Sequence, residues 1–185
     1  MKHLYEFGGF IMDFLELAKK RYSVRKFSNQ KIEKEKINLI LEAGRIAPTA
    51  VNYQPQRILL LESDESLKKL KECTPFHFDA PLAMLICYDN TISWKRNYDI
   101  KDMGEVDASI VATQMMLEIT NLNLGTTWVG HFDPQKIRDT FSLPENIIPI
   151  ALFPIGYPHE ESVPHLLHEK RFEISETVVY DSFKK

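Results

Sequence analysis

The stretch Arg21-Tyr22-Ser23-Val24-Arg25-Lys26-Phe27 carries a guanidinium, a hydroxyl and a second guanidinium at alternate positions. In extended backbone, alternate side chains point to one face, so Arg21, Ser23 and Arg25 would project together. A guanidinium matches phosphate oxygens with two parallel hydrogen bonds, so the chemistry implied is the capture of a phosphate. A bare Arg-x-x-x-Arg also fits a solvated basic turn behind a helix, and this stretch by itself is compatible with both.

Other residues with reactive side chains are less organised. His165-x-x-His168, with His159 and Glu161 nearby, has the residue types of a metal site, but no rigid helical spacing orients them. That segment reads as a polar loop with incidental histidines. His77 and His131 are isolated and read as structural or surface side chains. There is no Gly-x-Ser-x-Gly and no Walker loop, and the seven glycines are too scattered for a dinucleotide-binding turn. Trp94, Phe76 and Phe78 could line a pocket or simply pack. A chain with phosphate and amide partners but no evident acid, base or nucleophile would bind a cofactor that brings its own chemistry.

The elements that must position these residues can be read from periodicity. Phe14, Leu17, Ala18 and Tyr22 have helical spacing, so a helix over 14–22 would deliver the Arg21 stretch. A second helix runs from Glu33 to about Ala47, with Ile37, Ile40, Leu41 and Gly44 on one face. Pro48 to Pro55 is a loop bounded by prolines. Arg57–Leu61 and Ala83–Tyr88 are buried strands, separated by a helix that opens at Ser63 and Asp64 and reaches Lys71. Glu105–Leu122 is the longest helix and is apolar around nearly its whole circumference, as a central core helix or a dimer interface would be. Gly125 marks the turn beyond it. Thr126–Val129 is a third strand, and Asp133-Pro134 starts a helix ending near Phe141. Ile147–Phe153 is a fourth apolar run, which Pro149 and Pro154 demote to a bulged or edge strand. Ile174–Tyr180 has strand-like content with no neighbour in sequence, as a tail completing a partner's sheet would have. Alternating helices and short strands give an α/β or α+β class.

With 185 residues, 44% hydrophobic and 26% charged, the chain has the composition of one soluble globular domain with a sizeable core. A net charge of -3 gives no general electrostatic reason to expect nucleic acid or an anionic membrane as partner. No apolar run approaches the roughly 18 residues of a membrane span. Cys73 and Cys87 form no Cys-x-x-Cys pair, and Cys87 lies in an apolar run as a small core residue, which fits a reducing cytoplasm. The N-terminus lacks the pattern of a signal peptide. Residues 1–11 read as an extension, and Met12-Asp13-Phe14 as a natural beginning with Asp13 placed to cap a helix.

Set beside known families, these motifs resemble those of the nitroreductase family, in that family's order and over nearly the whole chain from Met12 onward. Arg21 to Phe27 is similar to its opening flavin-phosphate motif, Arg-x-Ser-x-Arg-x-Phe/Tyr. Pro48-Thr49-Ala50-Val51-Asn52-Tyr53-Gln54-Pro55 resembles its Pro-Ser-x-x-Asn-x-Gln-Pro loop. Leu124 to Gly130, with Phe132-Asp133-Pro134, resembles its late strand and turn, and Lys170-Arg171 its last basic position. The resemblance implies an α+β fold, with a central, mostly antiparallel sheet flanked by helices and a C-terminal tail exchanged between the subunits of a homodimer. It makes 12–185 a single FMN-binding domain with two equivalent sites at the subunit interface. Arg21, Tyr22, Ser23 and Arg25 would hold the phosphate and ribityl end, with Lys170 and Arg171 adding charge. Pro48, Thr49, Ala50 and Asn52 would reach the flavin from the other subunit. Gly130 and His131 would lie beside the ring, with the Gly130 N–H as candidate donor to flavin N5.

The implied activity is that of an FMN-dependent oxidoreductase using NADH or NADPH to reduce a small-molecule acceptor, such as a nitroaromatic or a quinone, by a ping-pong mechanism. No side-chain acid or base is named for it. The chain departs from the family at Val51, where many members have glycine, and at Phe172, where proline commonly follows the arginine. It also lacks an obvious helical excursion over the pocket. The alternatives are a related flavin-dependent dehalogenase or flavin-modifying enzyme, or a non-catalytic FMN carrier or sensor.

Overall fold

The computed structural model describes residues 13–183; the proposed extension at 1–11 and the start at Met12 lie outside the described residues. The elements are α1 (Phe14–Lys20), α2 (Lys34–Arg45), β1 (Gln56–Leu61), α3 (Asp64–Lys71), β2 (Leu82–Asp89), α4 (Gly104–Asn121), β3 (Gly125–Thr126), α5 (Pro134–Phe141), β4 (Ile147–Gly156) and α6 (Ile174–Thr177). The strands form one four-stranded sheet in the order β1-β2-β4-β3, and every ladder is antiparallel. The fold is α+β.

The sheet is buried on both faces, which is why β2 reads as an unbroken apolar run rather than an alternating one. Met84 and Ile86 face Ile40 of α2 and Val111, Met115 and Ile119 of α4. Ala83, Leu85 and Cys87 point the opposite way, toward Leu70 of α3 and Ile137 of α5. Helices α2 and α4 approach closely: a Cβ on Gly44 would lie 2.8 Å from the Met115 sulfur. Ser63 caps α3 by accepting from the Ser66 N–H, and Asp133 caps α5 by accepting from the Gln135 and Lys136 N–H groups. Asp13 sits at the cap position of α1, but its side chain makes no capping bond.

Strand β4 is bulged, as one of the two expectations has it, but it is not an edge strand. It lies inside the sheet and pairs with β2 along its length, with Ile86 opposite Ala151 and Cys87 opposite Pro149. Ile150 is therefore the extra residue of a bulge beside Pro149. The backbone of Leu152 exchanges both its bonds with Val129, on the β3 side. Pro154, two residues on, turns its ring nitrogen to that same side. Pairing with β3 stops at Thr126 for this reason and resumes only as the isolated Val129–Leu152 bridge, so the strand expected over Thr126–Val129 is cut to Gly125–Thr126.

One further expectation is corrected, and two others take a particular form in the single chain. The left-handed residue after α4 is Asn123 (φ 58°), and Gly125 has an ordinary φ. Gly125 instead serves close approach, because a Cβ there would come within 2.5 Å of the Val24 side chain. Helix α4 is not buried all round: Ala108, Val111, Ala112 and Met115 are sealed in the core while Val106 and Ile110 are exposed. The tail from Ile174, whose expected partner is a second copy of the chain, forms within one chain the single turn α6, closed by a Glu173–Glu176 capping box. Phe172, Ile174, Tyr180 and Phe183 all stand exposed around it. No helix among the described residues is long and apolar enough to cross a membrane.

Candidate cofactor site

The Arg21–Phe27 segment is extended because main-chain neighbours on both sides hold it so. The chain leaves α1 at Arg21 (ψ 121°). The Val24 N–H donates to the Thr126 carbonyl at 3.0 Å, forming a parallel bridge beside β3. Farther along, the Ser28 N–H donates to Tyr157 O and the His159 N–H to Lys26 O. Val24 and Phe27 turn inward and are buried. Arg21, Ser23 and Arg25 fall on the face opposite Val24, as alternation requires, and the alternation breaks before Phe27.

Those outward side chains line a cavity of 590 Å³ together with Tyr22, His165, Leu167, His168 and Arg171. No carboxylate is on its wall. Among the described residues, no salt bridge engages Arg21, Arg25 or Arg171. Burial first, and the Arg171 charge second, hold the Arg21 guanidinium below its ordinary pKa. Crowded cations without a counter-ion make a site for an anion.

The segment after β4 closes over this cavity. The Tyr22 hydroxyl donates to the Ser162 carbonyl at 3.1 Å. The His168 ring packs edge-on against Tyr22, and its Nε2 lies 3.0 Å from the Lys19 carbonyl, to which it donates. The Leu167 N–H donates to His165 Nδ1 at 3.2 Å, so in neutral His165 the proton resides on Nε2, as a donor. Sequence spacing makes these two histidines incidental, yet the fold sets both on the cavity wall. Lys170 is exposed and does not line the cavity, unlike Arg171, whose Nη1 donates to the His168 and Lys170 carbonyls.

The second cluster is the Pro48–Gln54 loop, which lies apart from the cation cavity. Pro48 belongs to a different groove, of 890 Å³, lined also by Phe14 of α1 and by Val106, Ile110 and Leu117 of α4. After Thr49 the chain makes a short turn in which Val51 (φ 53°), Asn52 (φ 56°) and Gln54 (φ 52°) are all left-handed. For a β-branched residue such as Val51 that conformation is strained, at about 1–3 kcal/mol. The turn is held by the Gln54 N–H donating to Thr49 Oγ1 at 3.1 Å, and by the Ala50 N–H donating to Asp107 Oδ1 at 2.8 Å. Nothing in the sequence marks Asp107 as a partner of this loop.

The third cluster, Gly130 and His131, lines neither cavity. His131 is exposed, with Phe76 edge-on at 5.4 Å, and its carbonyl accepts from Thr74 Oγ1. A Cβ on Gly130 would meet nothing within 4 Å, so packing within the chain does not require glycine there. Of the histidine-rich segment, no metal site emerges: no group of three metal-binding side chains occurs among the described residues.

Comparison with known proteins specifies the family to which this α+β fold belongs. The nitroreductase family model matches residues 18–75 and 72–157. A candidate NADH dehydrogenase/NAD(P)H nitroreductase of Methanothermobacter thermautotrophicus is 33% identical over 156 residues, covering 80% of this chain and 79% of its own. The crystal structure of a nitroreductase family protein from Clostridium difficile 630 superposes with a TM-score of 0.87 at 43% identity, covering 93% of this chain and all of that one. An FMN-dependent nitroreductase from Clostridium difficile R20291 superposes with a TM-score of 0.74 at 26% identity, covering 91% and 99%. The chain belongs to the nitroreductase family.

Proposed function

We propose that this protein is an FMN-dependent oxidoreductase that takes electrons from NADH or NADPH and delivers them to a small acceptor such as a nitroaromatic or a quinone, in ping-pong fashion. The observation that carries this is the acid-free cavity walled by Arg21, Arg25 and Arg171. Its donors suit the phosphate of FMN, with guanidinium forks for the oxygens and the Ser23 hydroxyl beside them. Bound FMN would supply the redox chemistry, accepting hydride from the nicotinamide and passing two electrons on. The chain's part is to bind and orient. Residues 12–185 would serve as the one FMN-binding domain. The buried thiols of Cys73 and Cys87, which form no disulfide, suit a cytoplasmic enzyme.

A single chain gathers the phosphate donors in one cavity and leaves Pro48, Thr49, Ala50 and Asn52 elsewhere, with Gly130 and His131 in neither. We infer that two copies complete the site, the Pro48–Asn52 loop reaching the ring of the flavin held by the partner's arginines. The exposed apolar groove between α1 and α4 and the apolar tail around α6 support a homodimer with an exchanged tail.

The cofactor test is direct. Heat-released flavin should be FMN, one per subunit, and NADH or NADPH should bleach the bound flavin until an acceptor restores it. Recovery of FAD, or a protein that takes up no FMN, overturns the assignment. Sharing of the site is tested by mixing subunits. One variant carries Arg21→Ala with Arg25→Ala, the other Asn52→Trp. A mixed dimer should hold about half the wild-type flavin, because one site collects both lesions and the other none. No recovery would place both groups of a site on one chain.

A further inference from the structure

Asp107 is 2% exposed, lies at the start of α4, and plays no part in the cation cavity. Its Oδ1 accepts from the Ala50 N–H at 2.8 Å, and its Oδ2 is buried with no hydrogen-bond partner among the described residues. For stability alone this residue is a poor choice: a carboxylate withdrawn from water with one donor is unfavourable beside a packed apolar side chain. What it provides is one charge-assisted acceptor aimed at a single amide. That amide belongs to the first residue of the Ala50–Asn52 turn, immediately ahead of the left-handed Val51 and Asn52. A strained turn persists only where its surroundings over-determine it. Here the surroundings are Thr49 Oγ1 at the far end of the turn and Asp107 at the near end.

We propose that Asp107 is the positioning residue of the flavin-ring loop, its carboxylate holding the Ala50 amide so that the Thr49–Asn52 backbone is set before the ring arrives. This rests on the assignment of that loop to the ring end of the site. It separates the two ends of one ligand: the arginines act on the phosphate, whereas Asp107 acts, through the loop, on what FMN and riboflavin share.

The test uses the full-length protein and the variants Asp107→Ala and Asp107→Asn, each measured for FMN affinity, riboflavin affinity and amide hydrogen exchange. Asp107→Ala should weaken FMN and riboflavin by the same factor, roughly ten- to a hundredfold, the range for a lost bond to a charged group. Exchange at the Ala50 amide should rise while Met84 and Val111 in the core stay protected. Asp107→Asn keeps an acceptor oxygen in place and should restore both affinities to within about threefold of wild type, a single-bond difference being about that size. A merely structural role would speed exchange in the core as well, and that result overturns the proposal. So does a loss for FMN that riboflavin does not share, or an Asp107→Ala protein with wild-type flavin binding. Should Asp107→Ala not fold, the asparagine variant decides: strong riboflavin binding with a protected Ala50 amide supports the role, and loss of either sinks it. The exchange arm needs no flavin. A wild-type chain that bound neither flavin would overturn the cofactor assignment, with the Ala50 exchange still showing whether Asp107 holds the loop.

Discussion

In the Arg21–Arg25 segment the candidate phosphate-binding side chains hang from a main chain that neighbours hold by regular bonds, Val24 N–H to Thr126 O on one side and His159 N–H to Lys26 O on the other. In the Thr49–Gln54 loop the backbone passes through three left-handed residues, and side chains from Thr49 and Asp107 hold it. The first region is an unstrained extended segment whose chemistry would lie in its side chains. The second is a strained turn whose chemistry would lie in the direction of its backbone. The contrast suits their proposed ligands: a phosphate is met by long, charged, adaptable arms, and a flat ring by backbone set in advance.

The largest expected effect breaks the first region. Arg21→Ala or Arg25→Ala should each weaken FMN by roughly 1.5–3 kcal/mol, the range for a bond to a charged group, with riboflavin much less affected. Titration of the apoprotein with both flavins reads the difference directly. Equal losses for the two would show that the arginines act on the fold or on the ring, and the contrast between the two ends would fall.

A somewhat smaller effect reaches the same segment from beneath. Gly125→Ala puts a Cβ 2.5 Å from the Cγ2 of Val24, a buried and rotationally stiff side chain. Overpacking of this kind costs about 1–3 kcal/mol and should push the Arg21–Arg25 strand away from β3. The urea midpoint should fall, and FMN affinity should fall with it. A variant with wild-type stability would mean that β3 and the Arg21 segment shift apart at little expense.

The smallest effect, of opposite sign, belongs to the loop. Val51→Gly removes a β-branched residue from φ 53°. Relief of about 1–3 kcal/mol of strain, set against about 0.5–1 kcal/mol of added chain entropy, leaves the folded state more stable by roughly 1 kcal/mol. Chemical denaturation should show a raised midpoint at unchanged slope. If the strain serves pre-organisation, flavin affinity drops while stability rises. A fall in stability instead would mean that the loop is not strained by Val51.

Much of the architecture is legible in the sequence because it follows from short-range rules. The face of α2 with Ile37, Ile40 and Gly44, the Ser63 and Asp133 caps, and the Asp133-Pro134 helix start depend on neighbours within a few positions. The projection of Arg21, Ser23 and Arg25 to one side follows from alternation once bonds to the backbone of Thr126, Tyr157 and His159 hold the segment extended. The misreadings have a common origin in partners distant along the chain. Gly125 looks like a helix terminator until Val24 is seen against it, a hundred residues upstream. Thr126–Val129 looks like a strand until Pro154 withholds its pairing.

For the candidate site, residue types and spacing by themselves offered two guanidiniums and a hydroxyl at alternate positions, which fit an anion cradle and a solvated basic turn alike. Only the tertiary structure decided what surrounds that cradle. It brought His165, His168 and Arg171 across the chain to its wall and left Lys170 off it. It also placed the Asp107 carboxylate beneath the Ala50 amide, 57 residues away in sequence. A side chain's periodicity reports which way it points, whereas what it touches depends on where β4 and α4 are packed, and that is set by the core as a whole.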